Sequence, residues 1–147
     1  VPILLPSKPP HEILVKCARG LKEVEDALAR GAYSEAMRLC RNIIMNWLLP
    51  EVEKEGRKVR VLNEKLREYI LDKVSSDVRE TYKGILNAIE RTLLHNLKGH
   101  IHKFVKEVAG KTKLIKVPLK EDAEYVYLLL VSIVRYLSEL IFTWEEK

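Results

Sequence analysis

The segment YVYLLLVSIVRYLSELIF, residues 125–142, is the most apolar part of the chain. Its apolar side chains recur at helical spacing and cover almost the whole circumference of the predicted helix. Arg135 and Glu139 lie within it, and each would cost roughly 2.5–3.5 kcal/mol in lipid. Residues 1–10 lack the basic start and long apolar run of a signal peptide. We therefore predict a core helix in a cytoplasmic protein that makes no membrane contact.

The rest of the chain shows the same helical period, and apolar and polar residues alternate only over a few positions at a time. The first helix is predicted to close at Gly31, and the second to end or kink at Pro50. A charged connection follows over residues 51–60, and residues 111–120 form a basic loop with a short extended piece. The predicted helices cover about residues 11–31, 33–49, 61–73, 78–110 and 118–142.

Length and composition predict one folded domain, residues 1–147. The chain of 147 residues is 47% hydrophobic and 32% charged, too apolar for a disordered protein. Four long helices and one short helix, joined by short loops, predict an all-α fold, an antiparallel four-to-five-helix bundle. The last helix has more apolar surface than one seam buries, so it is either central in the bundle or shared with a second subunit. The second alternative predicts a homodimer.

The two cysteines, Cys17 and Cys40, are too few for a disulfide scaffold or a cysteine-based zinc site. Both lie among apolar helical neighbours, which predicts buried, reduced thiols. The chain has no Gln and only five Asn, a bias typical of heat-adapted proteins, and some intracellular proteins of this kind carry disulfides. A bridge between the two cysteines is therefore the minor alternative.

Three of the four histidines fall within eight residues, in the run RTLLHNLKGHIHK, residues 91–103. Spacings of three and four residues predict two polar stripes on neighbouring helix faces. The first stripe consists of Arg91, His95, Lys98 and His102, and the second of Asn96, His100 and Lys103. Imidazoles beside cations suit phosphate chemistry, because imidazole titrates near pH 6.5 and serves as acid or base. A plain solvated helix face is an equally good interpretation.

Positive charge is concentrated beside the histidines. Residues 98–120 hold seven lysines and one glutamate, a net charge of +6, whereas the whole chain carries +5. Such a patch attracts nucleic-acid backbones without reading their sequence, although it also fits a solvated lysine-rich loop. The only aromatic residue in the patch is Phe104, at a core spacing, so base stacking is not predicted. The predicted nucleic-acid contacts are Lys98, His102, Lys103, Lys106, Lys111, Lys113 and Lys116.

Other chemistry has little support in the sequence. No glycine-rich phosphate loop, CxxC pair or nucleophile elbow is present, and the histidine spacing completes no recognised zinc site. We therefore predict neither metal nor cofactor. Arg38 and Arg41 lie either on the polar rim of the second helix or beneath the histidine cluster.

The order of these features resembles the HEPN superfamily. The second helix carries the pattern YSEAMRLCRN, residues 33–42; the long helix ends in HNLKGH, residues 95–100; and the last helix is led by Glu121-Asp122-Ala123. The HEPN motif consists of Arg, a polar residue that is often Asn, three variable residues and His. Asn96 and His100 match its second and last positions, whereas His95 stands in place of the arginine.

The resemblance implies a dimeric helical bundle that cleaves RNA without metal at the dimer interface. His100 would then act as the acid or base, Asn96 would orient the phosphate, and His95 or Arg91 would replace the missing cation. Inactive family members serve as RNA-binding or partner-binding modules, often beside a nucleotidyltransferase. The functional hypotheses are therefore a ribonuclease or degenerate RNA-binding relative of the toxin or defence type, and a non-catalytic homodimeric interaction module. A metal-dependent enzyme is the third hypothesis.

Overall fold

The computed structural model describes Leu5, residues 9–108 and residues 111–145, without the side chains of residues 106–108, 112 and 145. The fold is predominantly helical, which confirms the predicted all-α class. In chain order the elements are α1 (Glu12–Ala29), α2 (Tyr33–Ile43), the π-helical turn π1 (Ile44–Leu48), β1 (Glu51–Lys54), β2 (Arg57–Arg60), α3 (Glu64–Lys73), α4 (Arg79–Arg91), the π-helical turn π2 (Thr92–Leu97), α5 (Lys98–Ile101), β3 (Val105–Val108), β4 (Lys111–Leu114) and α6 (Lys120–Glu145).

The core is built on α1, α2 and α6, which pack against one another. Each contributes the apolar stripe that its sequence predicts, including Leu14 and Leu21 from α1, Met37 from α2 and Leu130 from α6, all fully buried. Helix α1 ends as predicted, because Gly31 adopts a positive φ of 74° that a glycine accepts without strain. The second helical stretch ends at Leu48, ahead of Pro50.

Both cysteines lie in this core as free thiols. Cys17 and Cys40 are fully buried, as predicted, and the minor alternative of a bridge between them is wrong. Burial raises the pKa of each thiol to about 12, because the apolar surroundings disfavour the thiolate.

The charged connection at residues 51–60 is a β-hairpin rather than a loop. Strands β1 and β2 pair in antiparallel register, with Val52 opposite Val59. Glu55 and Gly56 form the two-residue turn, with φ values of 52° and 74°, which suits the twist of a tight hairpin. Four-residue strands show too little alternation to be separated from a loop by periodicity.

The long helix is shorter than predicted. Its helical run extends from Arg79 to Ile101, and strand β3 begins at Val105 and pairs with β4. The predicted end, Gly110, lies outside the described residues. The N–H of Ile115 donates a 2.7 Å hydrogen bond to the carbonyl of Phe104, which holds the segment after β4 against the end of the helical run. This hairpin replaces the predicted final turns of the helix. Its second strand, β4, confirms the short extended piece predicted within residues 111–120.

Helix α6 is the longest element and divides its surface between core and solvent. Val126, Leu130 and Val134 are fully buried. Among the described residues one helix, Lys120–Trp144, is long and apolar enough to cross a membrane by length and composition. In its most apolar stretch of 18 residues, 44% is buried. Its outer face carries Tyr125, which is half exposed to solvent.

Candidate functional site

The histidine run lies where the helical period changes. Helix α4 passes through π2 into α5 without a break, and the N–H of Lys98 donates to the carbonyl of Leu93, five residues earlier. A π-helical turn holds more residues than an α-helical turn, so side chains beyond it lie on a different face from the one that a 3.6-residue period predicts. Single π-helical turns inside α-helices are frequent at functional sites.

A surface cleft of about 370 Å³ lies beside this turn. Most of its lining comes from π2, α5 and the turn that follows. The lining residues are His95, Asn96, Gly99, His100, Lys103 and, from α6, Tyr125. Two imidazoles, an amide and an ammonium group therefore surround one space, which is an arrangement able to bind a phosphate and exchange protons with it.

This grouping corrects the predicted stripes. His95 was predicted to share a face with Lys98 and His102, but it lines the cleft with Asn96 and His100 instead. The π-helical turn explains the difference, because it holds one more residue than an α-helical turn. Lys98 and His102, which follow it, are therefore rotated around the helix axis relative to His95. Arg91 is exposed and does not line this cleft, so the structure does not bring it to His100.

His100 is held between two aromatic rings. Its ring centroid lies 5.4 Å from that of Phe104 and 5.3 Å from that of Tyr125, both in edge-on geometry. Its Nε2 atom is buried and has no hydrogen-bond partner among the described residues. Buried polar atoms are satisfied in most proteins, so this nitrogen is an exception.

Lys98 and His102 lie on the other side of the helix, facing Arg41. These three residues line a narrow gap with Ile44, Met45 and Ile101, and the gap is too small to hold a water molecule. Arg41 is only 7% exposed, which places it beneath the histidine run rather than on the rim. Arg38, by contrast, forms an ion pair with Glu35 on its own helix.

Arg60 adds a third cation to this second group, and no pattern in the sequence indicates it. Burial lowers the pKa of Lys98, and the neighbouring Arg60 and Arg41 guanidinium groups lower it further. Arg60 also donates hydrogen bonds of 2.9 Å and 2.8 Å to the carbonyls of Met45 and Leu49 at the end of π1. Its structural task is therefore to satisfy carbonyls that the helix end leaves open.

The remaining predicted lysines extend outward from the cleft. Lys103 lines it, whereas Lys111, Lys113 and Lys116 are exposed on β4 and the segment after it. Lys116 returns toward the site, with its Nζ atom 6.0 Å from the ring centroid of Phe104. The side chain of Lys106 lies outside the described residues. Among the described lysines of this set, Lys103 is therefore the one that lines the cleft, whereas Lys111, Lys113 and Lys116 do not line it.

Across residues 9–108 and 111–145, no group of three or more His, Cys, Asp and Glu side chains is arranged to hold a metal ion. No family model, curated protein or solved structure matches the chain.

Tyr125 is the cleft residue that sequence reasoning missed. It lies 25 positions after His100, beyond the β3–β4 hairpin, and belongs to a helix whose sequence indicates a core role. One sequence feature distinguishes it from the core aromatic residues: it lies in the first turns of α6, just after the charged residues Glu121 and Asp122.

Proposed function

We propose that the protein binds RNA at the cleft and is a HEPN-like ribonuclease that works without a metal. The observation that supports this proposal most strongly is the convergence of His95, Asn96, His100 and Lys103 on one space of about 370 Å³. Two imidazoles at one phosphate are what acid–base cleavage of RNA requires, since one proton must be removed and another supplied.

The proposed reaction uses the RNA's own ribose hydroxyl. One imidazole takes the proton of the 2′-hydroxyl, whose oxygen attacks the adjacent phosphorus. The bond to the 5′-oxygen then breaks, and the second imidazole, in its protonated form, supplies a proton to that oxygen. The products are a 2′,3′-cyclic phosphate and a free 5′-hydroxyl. We assign the two imidazoles to His95 and His100.

Lys103 and Asn96 have positioning roles in this proposal. The ammonium group of Lys103 stabilises negative charge that develops on the phosphate oxygens, and the Asn96 amide orients the phosphate. Lys103 lines the cleft and Arg91 does not, which favours the lysine as the replacement for the arginine of the HEPN motif. The net charge of +6 over residues 98–120 strengthens association with a polyanion.

The proposal includes a HEPN-like antiparallel bundle, a homodimer and a cytoplasmic location. Support for the dimer comes from α6, where Leu128 and Tyr136 are 48% and 40% exposed. Leu114, Ile115, Val117 and Leu119, just before α6, are each more than half exposed. Exposed apolar residues in such number are typical of an interface, and a second copy would cover them.

A non-catalytic interaction module is the second candidate function. The same apolar residues before α6 favour it, because Val117 and Leu119 are 68% and 67% exposed and contribute nothing to phosphate binding. This candidate predicts a stable dimer in sedimentation equilibrium that has negligible affinity for RNA at physiological salt.

The test is binding of a labelled single-stranded RNA across a salt series, followed by a gel of the RNA, with a chelator present throughout. Cleavage by the wild type should disappear in His95→Ala and His100→Ala. His102→Ala is the matched control, because His102 belongs to the same run but lines the narrow gap instead. Circular dichroism of each variant establishes that the helices remain.

A second pair of variants tests the binding surface. Lys103→Ala should weaken binding and reduce the salt slope by about one, as expected for one lost phosphate contact. Lys22→Ala removes an equal charge from the exposed side of α1 and should change neither. Binding without cleavage would leave an RNA-binding HEPN-like relative. Absence of both would refute the proposal and favour the interaction module.

A further inference from the structure

Tyr125 gives the cleft an aromatic wall that the basic segment itself lacks. It is half exposed although it lies on the most apolar helix of the chain. The phenol ring lines the cleft opposite the polar side chains of π2 and α5. A large aromatic surface open to solvent inside a polar cleft is available for contact with a ligand.

The ring of Tyr125 is held by its neighbours. Its centroid lies 5.3 Å from that of His100, which in turn lies 5.4 Å from that of Phe104, so three rings form a row from the cleft to the core. Phe104 is 6% exposed and anchors the row. An aromatic wall that is fixed in this way loses little conformational entropy when a ligand packs on it.

The polar groups around Tyr125 match the other parts of a nucleotide. The Asn96 amide can both donate to and accept from a base edge, and the Lys103 ammonium group suits a phosphate. The cleft of about 370 Å³ is large enough for one such unit, within the range of roughly 300–1,000 Å³ that is typical of small-ligand sites.

We infer that the cleft takes one unpaired nucleobase, stacked on Tyr125, with the adjacent phosphate at Lys103. The inference rests on the proposed RNA binding and specifies which part of the RNA enters. Bases inside a duplex are already stacked and paired, so the site selects single-stranded RNA over double-stranded RNA. A purely electrostatic flank of lysines would not make this distinction.

The experiment compares two oligomers of equal length and charge, an eight-nucleotide oligouridylate and its abasic counterpart. Affinity is measured for the wild-type protein, Tyr125→Leu and Tyr125→Phe. Tyr136→Leu is the matched control, since Tyr136 is a similarly exposed tyrosine on α6 that lines a different surface depression with Ser132, Arg135 and Glu139.

The wild type should bind oligouridylate roughly 5- to 100-fold more tightly than the abasic oligomer, the range expected for one base stacked on an aromatic ring. Tyr125→Leu should lose that preference, whereas Tyr125→Phe and Tyr136→Leu should keep it. In RNA containing 2-aminopurine, quenching of the base's fluorescence should depend on Tyr125 in the same way.

The possible outcomes distinguish failure of base stacking from failure of the proposed RNA binding. Equal affinity of the wild type for both oligomers, or an unchanged preference in Tyr125→Leu, overturns base stacking while RNA binding stands. If neither oligomer nor any longer RNA binds, the proposed function itself fails and the inference falls with it.

Discussion

Gly20 in the middle of α1 packs closely against Ile43 of α2. A Cβ atom added at this position would lie 2.7 Å from Cγ1 and 2.9 Å from Cδ1 of Ile43, which is itself only 2% exposed. Overpacking of this kind costs roughly 1–3 kcal/mol, whereas replacing a helical glycine with alanine stabilises the helix by about 1 kcal/mol. Gly20→Ala should therefore destabilise the fold by up to about 2 kcal/mol, or up to about 6 °C in Tm.

The assay is thermal and urea unfolding followed by circular dichroism. Gly84→Ala is the matched control, because Gly84 is an exposed helical glycine in α4 with no atom within 4 Å of an added Cβ. This variant should stabilise the protein by about 1 kcal/mol, since only the gain in helix propensity remains. The same chemical change should thus have opposite signs at the two positions.

A double-mutant cycle tests the cause. In an Ile43→Ala background the obstructing atoms are gone, so adding Gly20→Ala should become neutral or stabilising. Stabilisation by Gly20→Ala in the wild-type background, equal to that by Gly84→Ala, would refute the argument that the two helices leave no room for a methyl group here.

Three further predictions concern single side chains. Arg60→Met should destabilise the protein by about 2 kcal/mol, because two backbone carbonyls at the end of π1 lose a charged donor. Urea unfolding measures this loss, and Lys58→Met, the control, should have no effect. Cys17 and Cys40 should resist a thiol reagent at pH 8 until denaturant is added, since burial raises both pKa values to about 12; rapid labelling of the native protein would contradict this. His11 accepts a hydrogen bond from a backbone N–H through Nδ1 at the start of α1, and burial lowers its pKa. The contribution of His11 to the free energy of unfolding is therefore complete above about pH 6.5, the pKa of histidine in the unfolded chain, and is lost as the pH falls. The free energy of unfolding should decrease between pH 7 and pH 5, and it should decrease by less in His11→Ala.

The sequence was sufficient to predict the main helices and their buried faces. Apolar residues at helical spacing in α1, α2 and α6 identify the core, because burial of one stripe is what stabilises these helices. The two hairpins escaped detection since each strand is four residues long, too short for alternation to be recognised. Their pairing depends on turn geometry and on contacts between strands.

The site was predictable in its composition but not in its grouping. His95, Asn96 and His100 were identified from residue type and spacing, yet the division of the run into faces depends on a π-helical turn that no local pattern indicates. Tyr125 and Arg60 enter through contacts between elements far apart in the chain, and these follow from tertiary packing rather than from periodicity.

The π-helical turn at residues 92–97 also leaves the helical run one residue longer than an uninterrupted α-helix would need here. A π-helical turn is equivalent to one residue inserted into an α-helix, and the wider turn takes up that residue. Deleting one residue at positions 92–94 should therefore restore the α-helical repeat and leave the faces of α5 where they are, with His100 still at the cleft.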